Sequence, residues 1–256
     1  MRVSSRTEAL AAGKAMDRRP TLPSVAATGL WIALIMLVAL GIVSVALRWA
    51  FPGDAATQAE PLRDRIFAML HAATGSITER QGELARFDGR YQAHPIAVLA
   101  HILPGGIFIA LLPVQLARPI RARFPALHRW TGRLLVILAV VIGAAATFFG
   151  FGMPFGGPAE TILMALVTVW FFTALIRAYA AIRRGDVASH RKWMLRAVAI
   201  VVGVSVVRVV GVATDLTLTP AGFSATTVFV VALWIGWPAT IAVCEWWIRH
   251  TRPRPA

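Results

Sequence analysis

The sequence predicts an all-α protein that crosses a lipid bilayer several times, and three observations point to this fold class. Hydrophobic residues make up 57% of the 256 residues and charged residues only 15%, a balance that is unusual for soluble domains. The apolar residues form runs of about 20 residues, long enough to cross a hydrocarbon core as helices. Despite a net charge of +14, the basic residues cluster in short connections between these runs, which is typical of membrane proteins rather than nucleic-acid-binding proteins.

Six membrane helices are predicted, beginning with a basic tail at residues 1–27 and a first helix within residues 28–50. Residues 51–93 form a long connection whose charges nearly balance, which favours the outer side of the membrane. Helical spacing of its apolar residues and a capping box formed by Ser76 and Glu79 predict a small helical cap there. The five-helix core at residues 94–248 contains apolar runs at 95–117, 131–151, 160–182, 193–214 and 225–248, followed by a tail at 249–256.

The distribution of basic residues predicts the orientation of these helices. Nineteen of the 26 Lys and Arg residues lie on one side of the predicted bundle, whereas the connections near residues 152–159 and 215–224 contain none. The nineteen comprise five in the N-terminal tail, five in residues 118–133, six in residues 177–196 and three at the C-terminal end. Because Lys and Arg concentrate in cytoplasmic loops, both termini are predicted to be cytoplasmic.

Two histidines begin the third and fifth membrane helices at similar height, near the cytoplasmic surface. His128 and His190 each follow a helix start signal by about one turn. Asp186 lies close enough to His190 to accept a hydrogen bond from one ring nitrogen. Two facing histidines could ligate a b-type haem, with Arg129 and Arg191 pairing with its propionates. Alternatively, these side chains anchor the helix ends at the membrane surface.

Four polar residues form a second layer nearer the outer surface. His101 is expected about 9 Å below the outer end of its helix, and Arg208 about 22 Å above the inner face, so the two share a level. His94 and Asp215 each lie one heptad further out on the same helical faces. In a binding site, His101 would be a ligand or proton acceptor, and Arg208 would hold a propionate or a quinone oxygen. Alternatively, the layer consists of structural polar contacts, because Arg208 can extend outward to Asp215 or water.

A set of residues in the core carries a family resemblance. The set consists of His101, Gly105, Gln115, Arg118, His128-Arg129-Trp130, Gly132-Arg133, Gly185-Asp186, His190-Arg191-Lys192-Trp193-Met194 and Arg196. It resembles a family of bacterial predicted membrane proteins known as domain of unknown function two-three-zero-six, over about residues 94–214. This resemblance implies a multi-pass protein of the bacterial plasma membrane without an assigned activity. The arrangement is also loosely similar to cytochrome b561 and ferric-reductase-like membrane domains, which use histidine pairs at two depths.

Three classes of function remain open. The favoured one is a redox membrane protein that binds haem b through His128 and His190, or through His101 with a non-histidine partner. The second is a non-enzymatic assembly factor or subunit of a membrane complex, and the third is a carrier of protons or a small solute that uses His101, Arg208 and Asp215. The expected partners are the bilayer and other membrane subunits, without nucleic acid. Hydrolase, kinase and NAD-linked functions are disfavoured because their sequence motifs are absent, and enzymatic activity is otherwise left open.

Overall fold

The computed structural model describes residues 28–29, 31–39, 42, 89–91 and 93–251. All regular structure in these ranges is helical, which confirms the all-α prediction for this part of the chain. Residues 31–39 and 89–91 are helical. The helices with both ends described are α1 (Pro95–Leu116), α2 (Arg118–Arg123), α3 (Pro125–Gly152), α4 (Gly157–Arg183), α5 (Val187–Leu218) and α6 (Ala225–His250).

Five helices of the described part, all except α2, are long and apolar enough to cross a membrane. They correspond to the five apolar runs predicted for the core. The longest, α5, has 32 residues and spans about 48 Å, so it extends beyond a hydrocarbon core of about 30 Å. Helix α6 continues through Arg249 to His250, two residues beyond the apolar run at 225–248.

Several predicted features fall largely outside the described residues. They are the tail at residues 1–27, most of the first membrane helix within 28–50, and the outer cap within 51–93. The six-helix count and the cytoplasmic placement of both termini therefore stay predictions.

Local sequence signals explain where the helices begin. Pro95 and Pro125 stand at the first positions of α1 and α3, where a backbone N–H would have no intrahelical acceptor. Asp186 caps α5 by accepting a hydrogen bond from the Ser189 backbone N–H at 2.9 Å, and Ser224 caps α6 in the same manner. Hydrogen bonds from Ser189 hold the pKa of the Asp186 carboxyl below its usual range.

The described helices pack as two groups that meet between α3 and α4. Helix α1 packs along α3, while α5 lies between α4 and α6 and contacts both extensively. Within the described residues, α1 has no comparable contact with α5 or α6. A single hydrophobic core, which includes Phe108, Leu135, Phe171, Ile200 and Trp237, connects the two groups. Among the helices with both ends described, this arrangement leaves space between α1 on one side and α5 and α6 on the other.

Two glycines allow α5 and α6 to approach closely. A Cβ atom on Gly236 would lie 2.9 Å from the Cα of Val207, and one on Gly203 would lie 2.4 Å from the Cδ1 of Trp237. The indole Nε1 of Trp237 donates a hydrogen bond to the carbonyl oxygen of Ile200 at 3.1 Å. Small residues often permit such close packing of membrane helices, where the hydrophobic effect does not drive helices together.

Candidate functional site

A cavity of about 290 Å³ lies between the two helix groups. Side chains from α1, α3, α4, α5 and α6 line it, and most of them are apolar. The polar side chains in its lining belong to His101, Thr168, Ser205, Arg208 and Trp237. A concave, mostly apolar space with a few polar groups is typical of binding sites for small molecules.

His101 reaches this cavity from α1. Its Nδ1 atom lies 3.3 Å from the carbonyl oxygen of Ile142 on α3, and its ring packs edge-on against Phe149 with the centroids 5.4 Å apart. Because a carbonyl oxygen only accepts hydrogen bonds, this contact places the proton on Nδ1. In the neutral ring, Nε2 is then the acceptor or ligand atom.

Arg208 lines the same cavity from α5, so the structure brings the two central residues of the predicted outer layer together. The Arg208 side chain is exposed, whereas that of His101 is half-buried. Arg208 therefore lies at the mouth of the cavity and not in its interior. A guanidinium in this position can donate hydrogen bonds to an oxygen-bearing group that enters the mouth.

The two outermost residues of the predicted layer lie outside the cavity lining. The ring of His94 packs edge-on against Phe148 with a centroid distance of 5.3 Å. Asp215 is only 3% exposed and accepts a hydrogen bond from the Thr219 hydroxyl at 3.0 Å. Both residues contact other side chains of the protein.

Gly105 widens the cavity. Gly105 and Gly106 both line it, and a Cβ atom built on Gly105 has no neighbour within 4 Å. Glycines in a membrane helix can let another helix or a flat ligand approach closely. In the described structure Gly105 faces open space, so the glycine creates room and does not form a helix contact there.

The predicted inner histidines belong to the first turns of α3 and α5, and the rings of His128 and His190 interact electrostatically. The Nδ1 atom of His190 lies 2.9 Å from the carbonyl oxygen of Ala178 on α4, so Nδ1 donates and Nε2 is the acceptor. The Nδ1 atom of His128 is buried and has no hydrogen-bond partner among the described residues.

The hydrogen bonds of the described residues give Asp186 and the His190 ring different partners from those predicted. The Asp186 carboxylate accepts from the Ser189 backbone N–H, which has no acceptor within the first turn of the helix. The backbone carbonyl of Ala178 on the neighbouring helix orients the ring instead. The Asp186 carboxylate therefore caps α5, and a carbonyl oxygen of α4 holds the His190 ring.

The predicted arginines near these histidines differ in environment. Arg129 is exposed, although its charge acts on His128. Arg191 is half-buried, and its Nη2 atom donates to the Thr251 hydroxyl at 2.9 Å. Its Nη1 atom is buried and has no hydrogen-bond partner in the described part of the chain.

Glu245 is a polar core residue that sequence reasoning missed. Its carboxylate forms a two-point ion pair with Arg196, in which Nη2 donates to Oε2 at 2.9 Å and Nε donates to Oε1. The Arg196 guanidinium also lies over the Trp193 ring, 4.4 Å from its centroid. Glu245 is the one acidic residue in the apolar run at 225–248, and this feature could have identified it.

Gln115 connects the C-terminal end of α1 to α3. Its Oε1 atom accepts a hydrogen bond from the Thr131 hydroxyl at 2.7 Å. Gly132 leaves room for this side chain, because a Cβ there would lie 2.9 Å from the Nε2 atom of Gln115. Gln115 and Gly132, which both belong to the set of residues that carries the family resemblance, therefore have a packing role where α1 contacts α3.

Comparisons with known proteins place the chain in a family. A family model described as "Predicted membrane protein (DUF2306)" matches residues 98–248, more than half of the chain, including the cavity residues His101 and Arg208 and both inner histidines. No curated protein and no solved structure matches, so the comparisons give no support to a similarity with cytochrome b561. The chain belongs to the DUF2306 family of predicted membrane proteins.

Proposed function

We propose that the protein binds a small amphipathic molecule within the membrane and holds the oxygen-bearing head of this molecule between His101 and Arg208. The single observation behind this proposal is the cavity that these two residues line together. An ionisable side chain at membrane depth is costly unless it meets water, a polar group or a ligand. The Arg208 guanidinium at the mouth of the cavity can meet the polar head of a ligand there.

The chemistry of the two side chains defines the head group. The Arg208 guanidinium only donates hydrogen bonds and suits a carboxylate or a quinone-type carbonyl oxygen. The Nε2 atom of His101 accepts, so it suits a hydroxyl or another group that carries a proton. The lining between them is mainly aliphatic and aromatic, with Phe171 and Phe172 on α4, and favours an apolar body.

The separation of the helix groups supports entry of this molecule from the lipid. Helix α1 packs against α3 and makes no comparable contact with α5 or α6 among the described residues. The exposed Arg208 lies at the edge of the resulting space. Access from the bilayer suits a carrier, and it also suits a subunit that presents a lipid-soluble molecule to a membrane partner.

This proposal is tested by identifying what co-purifies with the protein in mild detergent. Solvent extraction and mass spectrometry of the wild type are expected to recover a small amphiphile at near-equal molar ratio. The amount should fall about tenfold or more in Arg208→Ala and in His101→Ala. Each variant lacks one polar partner of the ligand, and a loss of about 1.4 kcal/mol of binding free energy raises the Kd tenfold. Val209→Ala is the matched control, because Val209 is an exposed neighbour on α5 outside the cavity. Equal recovery from all four folded proteins, or no recovery from the wild type, would contradict the proposal.

A second candidate function is that of a redox protein with one haem b between His128 and His190. The contact between the Nδ1 atom of His190 and the Ala178 carbonyl favours it, because ligating histidines usually donate their other N–H to such a group. The electrostatic proximity of the two rings also supports it. Among the described residues no group of three or more His, Cys, Asp and Glu is arranged to hold a metal ion, so the haem would depend on this pair.

Visible absorption spectra of the purified protein test the haem proposal. Cells supplied with a haem precursor should yield a protein with a Soret band and a sharp reduced α band, both lost in His128→Ala and His190→Ala. His250→Ala is the control, because His250 is exposed at the end of α6 and its Nδ1 contacts the Trp246 carbonyl. A colourless, folded and monodisperse wild type would rule this candidate out.

We further propose that six helices cross a bacterial plasma membrane and that both termini are cytoplasmic. The support is the family membership and the asymmetric distribution of Lys and Arg. Alkaline phosphatase, which is active only outside the cytoplasm, should be active when inserted near residue 155 or residue 221 and inactive when fused after residue 256. The reverse pattern of phosphatase activity would show that both termini lie outside the cytoplasm.

A further inference from the structure

Arg191 is a half-buried cation whose hydrogen-bonding capacity is only partly used. Its Nη2 atom donates to the Thr251 hydroxyl at 2.9 Å, and its Nη1 atom is buried without a partner in the described structure. It forms no ion pair with any described residue. A buried donor on a charged group that lacks a hydrogen-bond partner destabilises the folded protein.

The surroundings of Arg191 add positive charge. Arg118 and Arg121, both on α2, act electrostatically on Arg191, and Arg121 acts on His128 as well. The short helix α2 therefore brings two further cations to the cytoplasmic ends of α3 and α5. The Nδ1 atom of His128 is a second buried polar atom here without a described partner.

Acidic side chains of the described part do not compensate this cluster. Glu160 and Asp215 belong to the outer end of the bundle, near the start of α4 and the end of α5. At the cytoplasmic end, Glu245 pairs with Arg196, and Asp186 accepts from the backbone N–H of Ser189 as the cap of α5. This cluster therefore contains three arginines and two buried polar atoms without a described hydrogen-bond partner, and no carboxylate of the described residues belongs to it. Its members are Arg118, Arg121, Arg191 and His128.

We propose that this cluster is a binding site for a phosphate group, with Arg191 as its centre. A phosphate carries negative charge and several acceptor oxygens. One oxygen can accept a hydrogen bond from Nη1 of Arg191, and the others can pair with Arg118 and Arg121 on α2. A carboxylate has only two oxygens and satisfies fewer of these groups. The site depends neither on the ligand of the outer cavity nor on haem.

The phosphate can belong to a lipid headgroup or to a soluble molecule. The cluster lies at the predicted cytoplasmic surface, where anionic lipid headgroups concentrate and attract Lys and Arg side chains. The recognised chemistry is the same in both cases, and two probes distinguish the sources. Inorganic phosphate reports on a soluble ligand, and phosphatidylglycerol reports on a lipid.

The test measures thermal stability and binding of the full-length detergent-purified protein with each probe. Inorganic phosphate is compared with chloride at equal ionic strength, and phosphatidylglycerol is compared with zwitterionic phosphatidylcholine. The wild type should be stabilised by at least one of the two phosphate probes, because a ligand that binds only the folded state raises its stability. The Kd should rise about tenfold or more in Arg191→Ala. Arg183→Ala is the matched control, because Arg183 is an exposed cation at the cytoplasmic end of α4.

Stabilisation by phosphatidylglycerol alone would identify a lipid site, and stabilisation by inorganic phosphate would identify a soluble ligand. If Arg191→Ala fails to fold, the double variant Arg118→Gln/Arg121→Gln should show the same loss of affinity, because these residues approach from α2. Equal losses in Arg191→Ala and Arg183→Ala would show attraction to general positive charge and overturn the proposal. No stabilisation of the wild type by either probe would overturn it as well.

Discussion

The Arg196–Glu245 ion pair connects α5 to α6 near the C-terminal end of α6. The Arg196 and Glu245 side chains are 19% and 24% exposed, and Trp193 covers the guanidinium. Hydrogen bonds between charged groups in such surroundings are stronger than neutral ones, but removing one partner leaves the other charge unpaired. The pair therefore acts as a unit, and its joint removal should destabilise the protein less than the sum of the two single replacements.

We predict that Glu245→Ala destabilises the protein by about 2 kcal/mol and that Arg196→Ala has a similar effect. The double variant should be less destabilised than the sum of the two single variants, because neither charge is then left alone. Titration of the detergent-solubilised protein with a denaturing detergent, followed by tryptophan fluorescence, measures these differences. Strict additivity of the two substitutions would show that the side chains act independently.

Asp186 is a residue whose protonation affects the start of α5. Hydrogen bonds from Ser189 hold its pKa below the usual value of about 4, so the carboxylate contributes stability above that pH. This contribution is lost as the pH falls through the lowered pKa of the folded state, because the protonated carboxyl is a weaker cap.

We therefore expect Asp186→Ala to unfold at a lower temperature than the wild type at pH 7. The difference between the two proteins should shrink as the pH is lowered below about 4. Asp186→Asn is the control, since Asn caps helices well and does not titrate. A difference between wild type and Asp186→Ala that stays constant across this range would show that the charged cap is not what stabilises α5.

At the scale of the helices, two glycines have opposite roles. Gly236 on α6 allows close contact with Val207 on α5, whereas Gly105 on α1 faces open space in the described structure. Both are residues of membrane helices, so sequence alone gives them the same description. Their neighbours decide whether an added methyl group clashes.

Gly236→Ala is predicted to destabilise the protein by about 1–3 kcal/mol, because its Cβ would lie 2.9 Å from the Val207 Cα and the helices must separate. Gly105→Ala should be neutral or stabilising by up to about 1 kcal/mol, because alanine favours the helix and meets no clash. Unfolding of both variants in detergent provides the comparison. Equal destabilisation by the two substitutions would contradict the assigned packing.

At the scale of the whole molecule, the separation of α1 from α5 and α6 creates the cavity. The α1–α3 pair meets the other three membrane helices of the described part mainly through α4, so these five helices leave space between α1 on one side and α5 and α6 on the other. His101 belongs to one helix group and Arg208 to the other. A ligand held between them would connect the two groups, and its binding should stabilise the assembled bundle.

Filling this space should remove the ligand and leave the fold intact. Gly105→Leu places a large apolar side chain in the cavity, and we expect about a tenfold or greater loss of the co-purified amphiphile, with circular dichroism and monodispersity unchanged. Gly89→Leu is a control, because Gly89 also has no neighbour within 4 Å but lies outside the cavity lining. Retention of the ligand by Gly105→Leu would place its binding site elsewhere.

The sequence by itself determined the helical class and the five membrane spans at residues 95–248, because the length of an apolar run and its flanking Pro, Asp and Ser residues are local properties. It also gave the approximate depth of His101 and Arg208, since the rise of a helix per residue is fixed. The tertiary structure decided how each helix is rotated and which neighbours it meets. When a helix is apolar on all sides, its sequence gives little information about which side packs against which neighbouring helix. For that reason only the structure paired Glu245 with Arg196, turned His190 towards Ala178 instead of Asp186, and left Gly105 facing a cavity.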